Sequence, residues 1–204
     1  MTSLDRYLQP TKLINSDHAA VFEKIAELTS DKSTFEEKAK TVFYFIRDEI
    51  RYQFKTQRHE SDYMASSVLR AKRGFCTQKA ILFCALARCA GIPAGLHFYD
   101  IADHSLPKQM EKVLKTNVLY HHGIAELYLN NRWIQYDATL DIHLIEEKEL
   151  IPVEFDSKKN CLMSANTKNG RKHIEYIRDF GRVHDVSFSE IRNRLREGYP
   201  HLFK

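Results

Sequence analysis

Cys76, His122 and Asp137 occur in that order along the chain. A thiol, an imidazole and a carboxylate are the parts of a cysteine nucleophile activated by an oriented base. Cys76 stands in KRGFCTQKAILFCALARCAGIPA, just after a glycine and at the head of a long apolar segment. A free thiol titrates near about 8.5, so little of it is thiolate at neutral pH. A helix N-terminus presents unpaired N–H groups and a partial positive charge, both of which favour the anion. Gly74 is expected to allow a tight turn that aims the sulfur at a cleft. Cys84 and Cys89 fall inside the same segment, with no helix end beside them, and read as core cysteines.

The histidine and the aspartate sit in two strand-like runs, His121–Leu129 and Arg132–Asp137, joined by Asn130-Asn131. Two asparagines between alternating runs predict a two-residue hairpin turn. Leu129 then pairs with Arg132, and Asp137 falls opposite Ile124. Cross-strand partners share a face, as do residues two apart on one strand, so His122 and Asp137 become diagonal neighbours. Diagonal Cβ atoms lie roughly 7–8 Å apart or less, within reach of a carboxylate–imidazole hydrogen bond. His121 projects to the opposite face, and a loop one residue longer would reverse the choice. Parity alone leaves open which face is buried, because Tyr128 and Trp133 oppose Leu127 and Ile134. Asp137 would fix the tautomer of His122 and stabilise its imidazolium.

Metal binding is the rival use of cysteine and histidine. The chain has no C-x-x-C and no H-x-x-x-H spacing, and the gaps between Cys76, Cys84 and Cys89 do not match zinc modules. Phosphate-binding patterns of the G-x-x-x-x-G-K and G-x-G-x-x-G kinds are absent too. No metal is expected.

The elements that must position these groups follow from periodicity. A first helix is predicted over His18–Leu28, capped by Ser16 or Asp17, with Ala19, Phe22, Ile25 and Ala26 on its apolar stripe. Ser33 and Glu36 resemble a capping box opening a second helix to about Ile50. Ser66–Lys72 reads as a short helix. The segment Cys76–Ala90 is apolar nearly all round, which places it inside a domain, and Gly91 and Pro93 stop it. Ala94–Tyr99 reads as the first strand, Asp100–Asn117 as a polar loop, Glu149–Phe155 and His173–Ile177 as further strands, and Ser187–Arg196 as a helix. Helices followed by strands argue for an α+β domain with a central helix lying on an antiparallel sheet.

A chain of 204 residues with 43% hydrophobic content can bury a full core. One domain over 1–204 is expected, with a core of about 42–140 and a C-terminal extension of about 141–204. The formal charge is +4, and the basic residues are scattered rather than interleaved with aromatics, so solvated faces are preferred to a nucleic-acid partner. No apolar run has the length of a membrane span, and no membrane partner is expected. The N-terminal segment lacks the pattern of a signal peptide. Four cysteines without such a signal are expected to stay reduced in a cytoplasmic setting.

The run GFCTQKAILFCALARCAGIPA resembles the cysteine segment of transglutaminase-like proteins. HGIAELYL followed by RWIQYDAT is similar to the histidine and aspartate segments of that superfamily, and VFYFIRDEIRY to the helix that precedes them. The likeness spans about Val42–Leu140. It implies a papain-like fold and a Cys–His–Asp site carried by Cys76, His122 and Asp137, acting on amides through a thioester without a cofactor. Ile124 replaces the usual aromatic after the histidine, and Ala138 the usual proline after the aspartate. Neither change removes a reacting group, and both are expected to reshape the acyl pocket.

The expected function is a thiol hydrolase of peptide or peptide-like amides. Amine transfer and an inactive peptide-binding domain are the alternatives. The Cys76 amide is one expected oxyanion donor; Tyr52, Gln53 and Gln78 are candidates by type for the second. The oligomeric state is left open.

Overall fold

The computed structural model describes residues 4–55 and 58–203. Helices α1 (Ala19–Thr29), α2 (Phe35–Tyr44) and α3 (Ala65–Ala71) precede α4 (Cys76–Cys89); α5 (Lys108–Leu114), α6 (Ile142–Glu147) and α7 (Phe188–Gly198) follow it. Strands β3 (Ala94–Asp103), β4 (Val118–Leu129), β5 (Arg132–Tyr136) and β6 (Ile174–Val183) form an antiparallel sheet in the order β5-β4-β3-β6. The two-residue strands β1 (Arg51–Tyr52) and β2 (Arg73–Gly74) pair in parallel beside it in sequence, leading directly into α4.

Helix α4 is interior because it has no polar face to offer water. Residues from Cys76 to Arg88 are all buried, and the helix packs on β3 and β4 as well as on α1, α2 and α3. Fully burying side chains such as Ile81, Leu82, Phe83 and Leu86 contributes about 1.5–3 kcal/mol each. The helix stops where Gly91, at φ +80°, takes the left-handed conformation that suits glycine. The Ile92 amide donates to Ala87 O at 2.9 Å and the Gly91 amide to Arg88 O at 3.0 Å, the paired bonds of a Schellman close. Arg88 is buried but satisfied: its guanidinium donates to the carbonyls of Gln9, Ala94 and His184.

The hairpin has the predicted register. Leu129 pairs with Arg132 and Ala125 with Tyr136, while Asn130 and Asn131 both have positive φ, as a type I′ turn requires. The regular ladder ends there, and the Asp137 amide turns instead to Cys161 O at 2.8 Å. One irregularity lies between β3 and β4. Tyr99 pairs with His122 and Ile101 with Leu119, so Tyr120 and His121 together face Asp100. His121 has φ +57°, and its amide donates to Asp100 Oδ1 at 2.9 Å. Such a bulge re-aims the side chains beside it.

Several expectations need correction. The buried residues of α1 are Val21 and Ile25, with Phe22 65% exposed, so the stripe is rotated by one residue. His18, not Ser16 or Asp17, caps that helix, its Nδ1 accepting from the Ala20 amide. The capping box of α2 uses Thr34 and Glu37, and the helix passes into a wider π turn over Phe45–Glu49 before Ile50. The polar loop is half structured: β3 runs on to Asp103, and α5 fills much of what remains. No strand forms over Glu149–Phe155, where Arg47 takes the Val153 carbonyl at 2.7 Å. The strand placed at His173–Ile177 is the start of β6, which runs to Val183 and pairs with β3.

Candidate active site

Cys76 is the first residue of α4. Phe75, which precedes it, has no side-chain oxygen to cap the first turn; only the reciprocal half of a capping box forms, with Gln78 Oε1 accepting from the Phe75 amide at 3.2 Å. Gly74 does not supply the expected turn. It lies extended in β2, and what it supplies is room, since a Cβ there would stand 2.9 Å from Gln78 Cβ. The Cys76 side chain is buried with 7% of the residue exposed, and Thr77 Oγ1 lies 3.8 Å from its sulfur.

The three predicted site residues come together. His122 Nε2 and Asp137 Oδ2 are 2.8 Å apart, both side chains buried. With Nε2 taken by the carboxylate, the other ring nitrogen, Nδ1, is buried without a hydrogen-bond partner among the described residues. After Asp137, Cys76 is the group whose charge most favours the protonated form of this ring, although no hydrogen bond joins them. His121 stands apart: its ring stacks on Phe98 at 4.0 Å and meets Phe180 edge-on.

The electrostatics follow from this geometry. Burial works against the Cys76 thiolate, but the charge and hydrogen-bonding potential of His122, the Gly123 amide and Thr77 overcome it and hold the thiol below its ordinary value. Burial likewise opposes the imidazolium of His122, yet Asp137 and then Cys76 push it up to about 10. Asp137 would be raised by burial, but His122, Thr139 and Tyr176 keep it below the usual carboxylate range. The other thiols behave oppositely. Burial pushes Cys84 up to about 12 and Cys161 up to about 11, and it raises Cys89, which is half-buried rather than in the core. Only at Cys76 does a cation override desolvation.

Sequence reasoning passed over two groups. Tyr176, on β6, donates its hydroxyl to Asp137 Oδ2 at 2.9 Å, and the Thr139 amide donates to Asp137 Oδ1 at 3.3 Å. Thr139 could have been suspected, since residues two past an aspartate often bond back to it. Tyr176 carries no local signal; only the pairing of β6 with β3 brings it to the site.

Of the three candidates for a second oxyanion donor, one is committed elsewhere and one faces solvent. Gln78 spends Oε1 on Phe75 and Nε2 on Asp62 O at 2.7 Å, and Gln53 is exposed. Tyr52 remains. Its backbone is pinned by Asp141 Oδ2 at 2.8 Å, its neighbours bond to Lys72 O and Gly74 O, and it shares a cavity wall with His122. Burial, then Cys76, keeps its phenol well above the ordinary value, so it stays a neutral donor. Among the described residues no group of three or more His, Cys, Asp or Glu side chains is placed to hold a metal ion, and no helix is long and apolar enough to cross a membrane.

Residues 23–138 match the transglutaminase-like superfamily, more than half of the chain. The chain belongs to that superfamily. Among solved structures it is similar to a candidate cysteine protease from Cytophaga hutchinsonii, with a TM-score of 0.53 and 22% identity over 68% of this chain and 43% of that one. A candidate protease from Parabacteroides distasonis matches at a TM-score of 0.42 and 15% identity, over 68% of this chain and 26% of that one. This chain therefore spans less than half the length of either. Among curated proteins none matches the sequence. The superfamily and the first likeness establish the papain-like fold, with the cysteine helix on an antiparallel sheet. The two departures from the superfamily pattern, Ile124 and Ala138, are both buried, and neither lines the cavity beside His122.

Proposed function

We propose that this protein is a cysteine hydrolase of peptide or peptide-like amides, with Cys76 as nucleophile, His122 as proton carrier and Asp137 as its orienting carboxylate. The observation that carries the reading is the division of labour on one ring. Asp137 holds Nε2 at 2.8 Å, and the opposite nitrogen is left unpartnered beside a thiol whose ionisation the ring favours.

Chemistry follows from these groups alone. The Cys76 thiolate adds to the amide carbonyl, and the resulting oxyanion is met by the Cys76 amide at the head of α4 and by the Tyr52 hydroxyl. Collapse breaks the C–N bond, and the leaving amine takes the Nδ1 proton of His122. The neutral ring then accepts a proton from water as its oxygen attacks the thioester. Acid is released, and the thiolate–imidazolium pair is restored. A reducing, cytoplasmic setting suits such a thiol, and the four cysteines are all unpaired. The protease description attached to the Cytophaga hutchinsonii protein leans the same way.

Hydrolysis is favoured over amine transfer. The test incubates the protein with a library of peptide amides, including glutaminyl peptides, alongside a labelled amine, with Cys76→Ala as the blank. Acid release above the blank and above amine incorporation is expected. Stable incorporation exceeding acid release would make the protein a transferase, and no turnover above the blank would leave it a binding domain.

A further inference from the structure

A cavity of about 280 Å³ opens against His122, and the rest of its wall is drawn from many parts of the chain, Leu140 and Leu144 around α6 and Ile174 on β6 among them. Phe54 follows β1, Ile101 is on β3, Leu106 and Met110 come from the α5 segment, Leu119 is on β4, and Met163 belongs to the C-terminal segment. The last lies beyond the residues that match the superfamily. Three charged residues reach the wall, and two of them are already engaged. Asp103 Oδ1 accepts from the amide and the hydroxyl of Ser105, both at 2.7 Å, and Lys148 Nζ donates to Ser105 O at 3.3 Å. Glu147 is the third.

We infer that this cavity takes an apolar side chain on the acyl side of the scissile amide, and that the preferred substrates carry a large aliphatic or aromatic residue there rather than glutamine. The inference rests on the hydrolase reading above. Its size is just under the roughly 300 Å³ at which small-ligand pockets begin, which suits one side chain rather than a whole ligand. Most of the wall is hydrocarbon and thioether, so an aliphatic group buried against that part gains what it loses in water. A primary carboxamide placed against the apolar part of the wall would leave its own polar atoms unpaired. Two methionines add adaptability, since their unbranched thioethers repack around side chains of different outline.

Binding to the Cys76→Ala protein tests the pocket without any chemistry. The probes are dye-labelled peptide acids, the product form, varied at the last two positions and followed by fluorescence anisotropy. Leucine- or phenylalanine-bearing acids should bind about tenfold or more tighter than glutamine-bearing ones, in line with what one or two methylenes contribute in an apolar pocket. Met110 is only partly buried, so Met110→Glu should fold, with thermal melting as the check, yet lose that preference, while Met110→Leu keeps it. Equal or tighter binding of the glutamine-bearing acids would overturn the inference, as would an unchanged preference in Met110→Glu. The two readings fail separately: apolar selectivity in binding with no turnover by the wild type removes the enzyme and leaves the pocket, and turnover favouring glutaminyl amides does the reverse.

Discussion

Tyr176 and His122 donate to the same oxygen, Asp137 Oδ2, at 2.9 and 2.8 Å. The phenol therefore shares that oxygen with the imidazole and helps to hold the carboxylate against the ring. Tyr176 is itself held, accepting from the Met163 amide at 3.2 Å. Tyr176→Phe should lower kcat about tenfold with little change in KM, because hydrogen bonds to charged groups are worth about 1.5–3 kcal/mol and only part of that is felt at the ring. Steady-state kinetics on the best amide, with thermal melting to confirm folding, checks this.

The pH profile of kcat/KM should be a bell with a broad top. A thiol held below its ordinary value sets the acid limb, and an imidazolium raised to about 10 sets the alkaline limb, the two belonging to the coupled pair rather than to either group. In Asp137→Asn the charge that raises His122 is gone, so the alkaline limb should move down toward about 6.5, the ordinary imidazole value. An alkaline limb that stays put in the variant would show that Asp137 does not support the ring.

Gly123 is the contact point between β4 and the head of α4. A Cβ there would meet Thr77 Cα and Oγ1 at 3.1 Å and Phe98 Cε1 at 3.0 Å, and the first of these is backbone that cannot swing aside. Gly123→Ala should push His122 off the Cys76 end of the helix by a few tenths of an ångström. We expect about a tenfold loss in kcat/KM, since a misplacement near 1 Å costs about a hundredfold, with destabilisation of about 1–3 kcal/mol from overpacking. Iodoacetamide labelling should slow in parallel, reporting the weakened thiolate without a substrate.

Lys79, one turn below Cys76, is buried and donates to Ile50 O at 2.6 Å. Burial lowers it to about 7 despite the pull of Asp141 and Asp137. An unfolded lysine still holds its proton up to about 10.4. Between those values the unfolded chain binds more protons, so this group makes stability rise with pH. Lys79→Met deletes that slope. Its stability relative to wild type should be highest near pH 7 and shrink toward pH 10, as read by denaturant melts at the two pH values. A difference independent of pH would refute the assignment.

The site was legible because its signals are local or set by parity. The alternation in β4 and β5 and the Asn130-Asn131 turn fix the hairpin register, and register alone puts His122 beside Asp137. The unbroken apolar run fixes α4, with Gly91 as its stop. The failures share one cause, which is that tertiary packing chose between local alternatives of equal merit. Ser33–Glu36 and Thr34–Glu37 both fit a capping box, and burial of Ala39, Val42 and Phe43 selects the second. Val21 and Phe22 could each head the stripe of α1, and contact with the rest of the core selects Val21. Tyr176 was invisible because its place depends on a strand pairing with β3 across a long intervening segment.

Arg88 has a consequence for how the molecule comes apart. One guanidinium is shared by carbonyls near both termini, at Gln9 and His184, and by Ala94 next to α4. Detaching either arm strands a buried cation with too few acceptors, so the penalty is passed to the other arm. Fraying of the two ends is thereby joined into one cooperative opening. Amide hydrogen exchange should then show matched protection at the two arms, and Arg88→Met should let them drift apart.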